Sequence, residues 1–488
     1  MDTKVDIIES IYDPEVFRQA GHRLVDQLTD YVLAARQGAM PVLPEPNPLT
    51  LPESYQQPLP LEPAADAPLA LHQRLQELIE QGIHLQHPGY IGHQVGAPVP
   101  AASLAELVAG VFNQSMAVYE MSPSATHIER QTARWLCKLV GWNNEADGVF
   151  TSGGSLGNLT ALLVARNHAS GGVAWEKGVR GGPPLAILAS EQAHYSVARS
   201  ASILGLGQEN VLRVPVDRNF RMDTAAMAEC YHAAVAQGKK VAAVVASAGT
   251  TATGSFDPLR EIGEFCRAQG VWFHVDGAHG ASVLLSPRYR SLADGIELAD
   301  SVIWDAHKML FMPNVVTALL FRQGSHGFEA FNQEASYLFG RHPFPEYDLG
   351  LRTVECTRPM QAWKLWLCFQ LYGARGLGEL VTQKLDLARA FAAKIKAQTD
   401  FELLTDPMCN ILCFRHLPSA AGAGTLSIQQ LNEYQAKIRK RVLASGKFFL
   451  VQTLIGQRLY LRCALMNAQT TEQDLANLLE LIRKCGAD

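Results

Sequence analysis

Four short runs, at 185–189, 241–247, 271–275 and 301–304, are apolar or small almost without interruption, and each leads into residues with chemistry to offer. A strand with one wet face alternates apolar and polar residues. A continuous run signals burial on both faces, as in a parallel sheet covered by helices. Helical patterns at 100–117, 125–140, 156–168, 223–237 and 257–269 lie around these runs at spacings that suit crossovers. The stretch from 100 to 320 is therefore expected to be α/β with a mostly parallel sheet. Ligands gather beyond the carboxyl ends of such strands, so the residues that follow the runs are the first candidates for a site.

The flanks read differently. Residues 14–37 repeat Phe17, Val25, Leu28, Tyr31 and Val32 on one helical face, and a second helix is expected over 69–82. Between them, 41–68 is rich in Pro and Leu and reads as an extended arm, whose Leu and Tyr residues need a surface to cover, on the same subunit or a partner. Beyond 355, helices are expected at 360–373, 381–397, 427–444 and 471–484, with antiparallel strands within 402–416 and 447–465. The last helix carries Leu475, Leu478, Leu479 and Ile482 on one stripe, with Thr470 as its expected cap. The expected divisions are a helical N-terminal arm (1–99), a large α/β domain (100–371) and a small α+β domain (372–488).

A formal charge of −5 points to neither a nucleic-acid nor a membrane-surface partner. The nine cysteines stand singly, and Cys409 and Cys413 lack a second pair beside them, so neither a disulfide scaffold nor a metal site is expected. The start, Met1-Asp2-Thr3-Lys4, lacks the basic and apolar segments of a signal peptide, and no apolar run spans a bilayer. A reducing, cytoplasmic setting is expected.

The residues after the runs form a set. Lys308 closes Asp305-Ala306-His307-Lys308, and a lysine there can form an imine with an aldehyde. Asp276 emerges from Val271–Val275 beside the small residues Gly277 and Ala278, which allow a flat ring to approach. Ser152-Gly153-Gly154-Ser155 opens a helical run and can cradle a phosphate on backbone N–H groups, although it is neither a Walker motif nor a dinucleotide fingerprint. His194 and Thr250 follow two further runs. Taken singly, Lys308 reads as a surface lysine, Asp276 as a turn aspartate and His194 as a structural histidine. Together they supply what pyridoxal 5'-phosphate needs: a Schiff-base lysine, an acid partner for the ring nitrogen and a phosphate cradle.

On these motifs the chain resembles the group II pyridoxal phosphate-dependent amino acid decarboxylases, from about His87-Pro88 to Arg462. The resemblance implies fold type I and a homodimer with active sites at the subunit interface. It assigns Lys308 to the cofactor aldehyde, Asp276 to the ring nitrogen, and His194 and Ala278 to opposite ring faces. Gly154, Ser155 and His307 go to the phosphate, with Asp305 and Asn158 close by and Thr250 near the cofactor oxygen. His93, Gln94, Asn113, Arg358 and Arg462 fall to the substrate side, the arginines alternatively to structural ion pairs. The implied reaction is loss of CO2 from an L-amino acid with a polar side chain, such as glutamate, aspartate, cysteine sulfinate or 2,4-diaminobutyrate. The alternatives are an aromatic substrate, aldehyde synthesis, another pyridoxal phosphate reaction, or a vestigial site in an interaction protein. One departure stands out. In Ser336–Gly350, Phe344 falls near the position where relatives carry a proton-donating tyrosine, and Tyr347, the nearest hydroxyl, or a histidine is expected to supply that proton.

Overall fold

The computed structural model describes residues 7–44, 55–331, 344–418 and 426–487. The expectations placed on residues 336–343, and part of the arm at 41–68, lie outside the described residues. Contacts group the chain into two compact units. The larger holds Gln94–Phe414 with Ala464–Met466, and the smaller holds the chain up to His93 with Arg415–Cys463 and the C-terminal segment from Asn467.

In the larger unit seven strands form one sheet: β1 (Asp147–Thr151), β2 (Leu185–Ser190), β3 (Val211–Val214), β4 (Lys240–Ser247), β5 (Trp272–Asp276), β6 (Ser301–Asp305) and β7 (Thr317–Phe321), in the order β1-β7-β6-β5-β4-β2-β3. The four expected runs are β2, β4, β5 and β6, within a residue or two. Pairing is parallel from β6 to β3. β7 runs antiparallel to both β6 and β1, so β1 points the same way as β6. The carboxyl ends of β1, β2, β4, β5 and β6 therefore share one edge.

β1, β3 and β7 were not among the expected strands. β3 is an edge strand with only Val214 fully buried, too short to carry a pattern. β7, Thr-Ala-Leu-Leu-Phe, is buried throughout, and a short apolar run does not by itself distinguish strand from helix.

Helix Ala362–Lys396 replaces the two helices expected at 360–373 and 381–397. The chain departs from helical geometry at Gly373 (φ 65°) and resumes at once, a conformation glycine adopts without a Cβ penalty. Leu365, Leu377, Val381 and Leu385 on this helix join the apolar core that contains Ile262, Val302 and Trp304. Continuity across 371/372 is why the contacts do not divide there.

In the smaller unit, helices Pro14–Arg36, Ala67–Gln81, Ile428–Ala444 and Glu472–Ala487 accompany the strands Val451–Ile455 and Arg458–Ala464, paired antiparallel from Val451↔Arg462 to Ile455↔Arg458. Ser427 and Gln430 form a reciprocal capping box. The stripe Leu475, Leu478, Leu479, Ile482 is buried. Thr470 is not the cap of the last helix. Its hydroxyl donates to Pro88 O at 2.6 Å, while the Thr471 hydroxyl meets Asp474 Oδ2 at the helix start.

Candidate active site

At the shared strand edge lies a cavity of about 210 Å³, lined by every residue assigned to the cofactor from sequence. Each arrives by a short path. Gly154 and Ser155 begin the helix after β1, His194 follows β2, Thr250 follows β4, Asp276 ends β5 with Ala278 just after, and Asp305 ends β6 with His307 and Lys308 beyond.

Two of these positions are built tightly. Lys308 Nζ lies 3.1 Å from Asp305 Oδ2, while the Thr317 hydroxyl on β7 donates to Asp305 Oδ1 at 2.6 Å. His307 Nδ1 lies 3.1 Å from Val316 N and 3.2 Å from Val316 O, and its Nε2 lies 3.6 Å from Asp305 Oδ2. Burial pushes the His307 imidazole below its ordinary pKa, with Asp305 opposing. A Cβ at residue 154 would stand 3.1 Å from Asp305 Oδ2, so glycine there allows the helix start to approach that carboxylate.

The residues fit pyridoxal phosphate. The helix beginning at Gly154 has no side chain capping its N-terminus, which leaves first-turn N–H groups for a phosphate. The Asp276 carboxylate accepts from Ala278 N–H at 3.2 Å on Oδ1 and from Asn158 Nδ2 at 2.9 Å on Oδ2. It lines the cavity as an oriented acceptor for a protonated ring nitrogen. The ring of His194 and the small side chain of Ala278 line the same space.

Behind the cavity runs a buried polar chain that sequence reading did not assemble. Asn158 Oδ1 meets His274 Nε2 at 2.9 Å, His274 Nδ1 meets Ser301 Oγ at 2.8 Å, and Trp272 Nε1 donates to Ser301 Oγ at 2.9 Å. Asn158 Nδ2 also donates to Ser196 Oγ at 2.9 Å, and Ser196 Oγ meets His194 Nδ1 at 2.8 Å. A local signal existed for two members. Asn158 is four residues past Gly154, one helical turn on, and His274 is two before Asp276 on the same strand face.

The substrate-side candidates are not gathered in this cavity. Arg358 is a correction: its side chain is fully buried and donates through both terminal nitrogens to Glu129, at 2.6 and 2.5 Å. It is a structural partner, not a substrate ligand. Asn113 ends helix Pro100–Phe112 at φ 46°, a left-handed position that asparagine tolerates better than most residues. Its side chain is exposed. Gln94 is half-buried at the start of the larger unit. His93 and Arg462 lie in the smaller unit, where Arg462 donates to Gly92 O at 3.3 Å. Burial lowers the His93 pKa, and Arg462 lowers it further. The Tyr347 ring packs edge-on against Tyr119 and His127, with the Arg130 guanidinium 4.3 Å from its centre, and it does not line the Lys308 cavity. Phe344 is 59% exposed.

Sheet topology, strand-end lysine and aspartate, and an uncapped helix start define a fold type I pyridoxal phosphate-dependent enzyme. Residues 52–417 match the family model described as the pyridoxal-dependent decarboxylase conserved domain, and the chain belongs to that family. It is 33% identical over 445 residues to the acidic amino acid decarboxylase GADL1 of Bos taurus, covering 88% of this chain and 84% of the relative. It is 34% identical to an aspartate 1-decarboxylase of Aliivibrio fischeri, covering 83% and 80%. The crystal structure of mouse CSAD superposes with a TM-score of 0.91 at 30% identity, covering 97% of this chain and 99% of that one. The protein is thus a pyridoxal phosphate-dependent amino acid decarboxylase.

Proposed function

We propose that this enzyme decarboxylates an L-amino acid with an acidic side chain, working as a cytoplasmic homodimer. The substrate class is carried by one observation: relatives named for acidic substrates match more than four-fifths of this chain at 33–34% identity. The polar residues His93, Gln94 and Arg462 are compatible with such a substrate, and Arg462 is the proposed partner of a substrate carboxylate.

Bound pyridoxal phosphate supplies the electron sink for the carbon–carboxylate bond. The chain's own residues do the rest. Asp276 would hold the proton of the ring nitrogen. The N–H groups of Gly154 and Ser155 would anchor the phosphate. His194 and Ala278 would confine the ring. Lys308 Nζ, kept beside Asp305 Oδ2, would be the amine that holds the cofactor aldehyde.

Incubating cofactor-loaded enzyme with aspartate, glutamate, cysteine sulfinate, 2,4-diaminobutyrate, tyrosine and histidine tests the substrate class. The expected result is an amine with matched CO2 from one of the acidic members. Faster turnover of tyrosine, histidine or diaminobutyrate would overturn it, and an aldehyde released with ammonia and peroxide would bring the exposed Phe344 back into the mechanism.

The homodimer is supported by apolar side chains left in solvent. Helix Pro100–Phe112 exposes Leu104, Val111 and Phe112 by 57%, 61% and 65%, and helix Pro14–Arg36 exposes Phe17 and Leu33 by 59% and 52%. The exposed apolar side chains Leu104, Val111 and Phe112 of helix Pro100–Phe112 suit an association surface. Light scattering is expected to give twice the chain mass; a monomer mass at assay concentration would contradict the dimer.

A further inference from the structure

The buried chain behind the cavity has only one consistent direction. The Asp276 carboxylate can only accept, which requires the amide nitrogen of Asn158 to face it and leaves Asn158 Oδ1 facing His274 Nε2. Burial pushes the His274 pKa down to about 4, with Asp276 opposing, so its ring is neutral. Nε2 therefore carries the ring proton and donates to Asn158 Oδ1, and Nδ1 accepts from Ser301 Oγ. Ser301 Oγ in turn accepts from Trp272 Nε1–H, which is consistent with that direction.

The same amide nitrogen donates to Ser196 Oγ. That leaves the Ser196 proton for His194 Nδ1, to which Ser196 N–H also donates, at 3.3 Å. His194 thus carries its own proton on Nε2. Its pKa is lowered by burial and by Lys308 and Arg199, against Asp276 and Asp305. One side chain, Asn158, 1% exposed, thereby supports both the carboxylate assigned to the ring nitrogen and the imidazole assigned to the ring face.

We propose that Asn158 is a positioning residue for cofactor binding, acting through donation to Asp276 with its flip held by His274. The proposal rests on the reading of Asp276 as the ring-nitrogen partner. Packing alone would ask only for a side chain of this shape. Donation asks for hydrogens on the side facing Asp276, and the two demands separate in Asn158→Asp. A carboxyl introduced there has the same shape, and its carbonyl oxygen can still accept from His274. Beside Asp276 its pKa is raised by like charge and burial. Below that pKa it holds a proton and donates to Asp276 as the amide did. Above it, two carboxylates face each other with no donor between them.

The experiment is the pyridoxal phosphate dissociation constant of wild type, Asn158→Asp and Asn158→Leu across pH. Each variant is taken as a ratio to wild type, so that titration of Lys308, His194, His307 and the cofactor cancels. The expected Asn158→Asp ratio is lowest at low pH and climbs about 10- to 100-fold as pH rises, the range for a lost hydrogen bond to a charged group. Asn158→Leu is expected to bind weakly at every pH. A ratio for Asn158→Asp that does not change with pH would overturn the proposal, whether it is near one or uniformly high.

Should Asn158→Asp not fold, His274→Gln and His274→Leu replace it. The glutamine amide can donate where Nε2 did and is expected to bind the cofactor more tightly than the leucine variant; equal affinities would overturn the proposal. Asp276→Asn separates the two readings. If it binds the cofactor like wild type, the assignment of Asp276 has failed. If it binds weakly while the Asn158→Asp ratio stays flat, only the role of Asn158 has failed.

Discussion

Lys308→Ala is expected to lower turnover by about a thousandfold or more, the scale on which removal of a reacting amine and its proton transfers is felt. The side chain lines the cavity and pairs with Asp305 at 3.1 Å, and among the described residues no other lysine lines that cavity. Its loss leaves Asp305 its bond from Thr317, so the wall is expected to persist and the melting temperature to move little. Borohydride reduction of the wild-type holoenzyme, followed by peptide mass spectrometry, is expected to place the cofactor on the Lys308 peptide. A label on another lysine, or a variant within about tenfold of wild type, would remove Lys308 from the reaction.

The second large effect is on stability. Glu129→Ala is expected to destabilise the protein by about 3–5 kcal/mol, read as a fall in the urea midpoint. The pair it breaks is out of solvent on both sides. The carboxylate also accepts Phe150 N–H at 3.0 Å, so the substitution leaves both a buried guanidinium and a backbone donor of β1 without that acceptor. Arg358→Ala is expected to cost a similar amount by stranding Glu129. The double variant Glu129→Leu with Arg358→Met is expected to recover much of the loss, because apolar residues of like volume often replace a buried ion pair at little cost. This separates the structural role from substrate binding. A substrate ligand would raise KM on substitution and leave the midpoint within about 0.5 kcal/mol.

Resemblance alone placed Arg358 with the substrate, and a single residue's neighbours in sequence could not correct that. Its partner lies 229 residues away. Tyr347 is a similar case. It is the nearest hydroxyl in register, but its ring is held by Tyr119, His127 and Arg130, contacts of an aromatic face that no local sequence pattern encodes. The cofactor residues fared differently because each sits at the end of a strand that its own sequence marks.

The sequence by itself determined the doubly covered sheet and the chemistry at its edge. Burial on both faces demands continuous apolar runs in β2, β4, β5 and β6, and the polar residue after such a run must emerge where the parallel strands end. The tertiary structure decided the rest. It inserted β7 antiparallel between β1 and β6, which brings Thr317 to Asp305. It also brought Asn158, His274, Ser196 and Ser301 from two helices and two strands into one directed hydrogen-bond chain, with Asn158 and His274 116 residues apart. The physical reason is one of range. Apolar periodicity encodes which face of an element is buried and where the element ends, whereas hydrogen-bond partners across the fold are selected only when those elements pack.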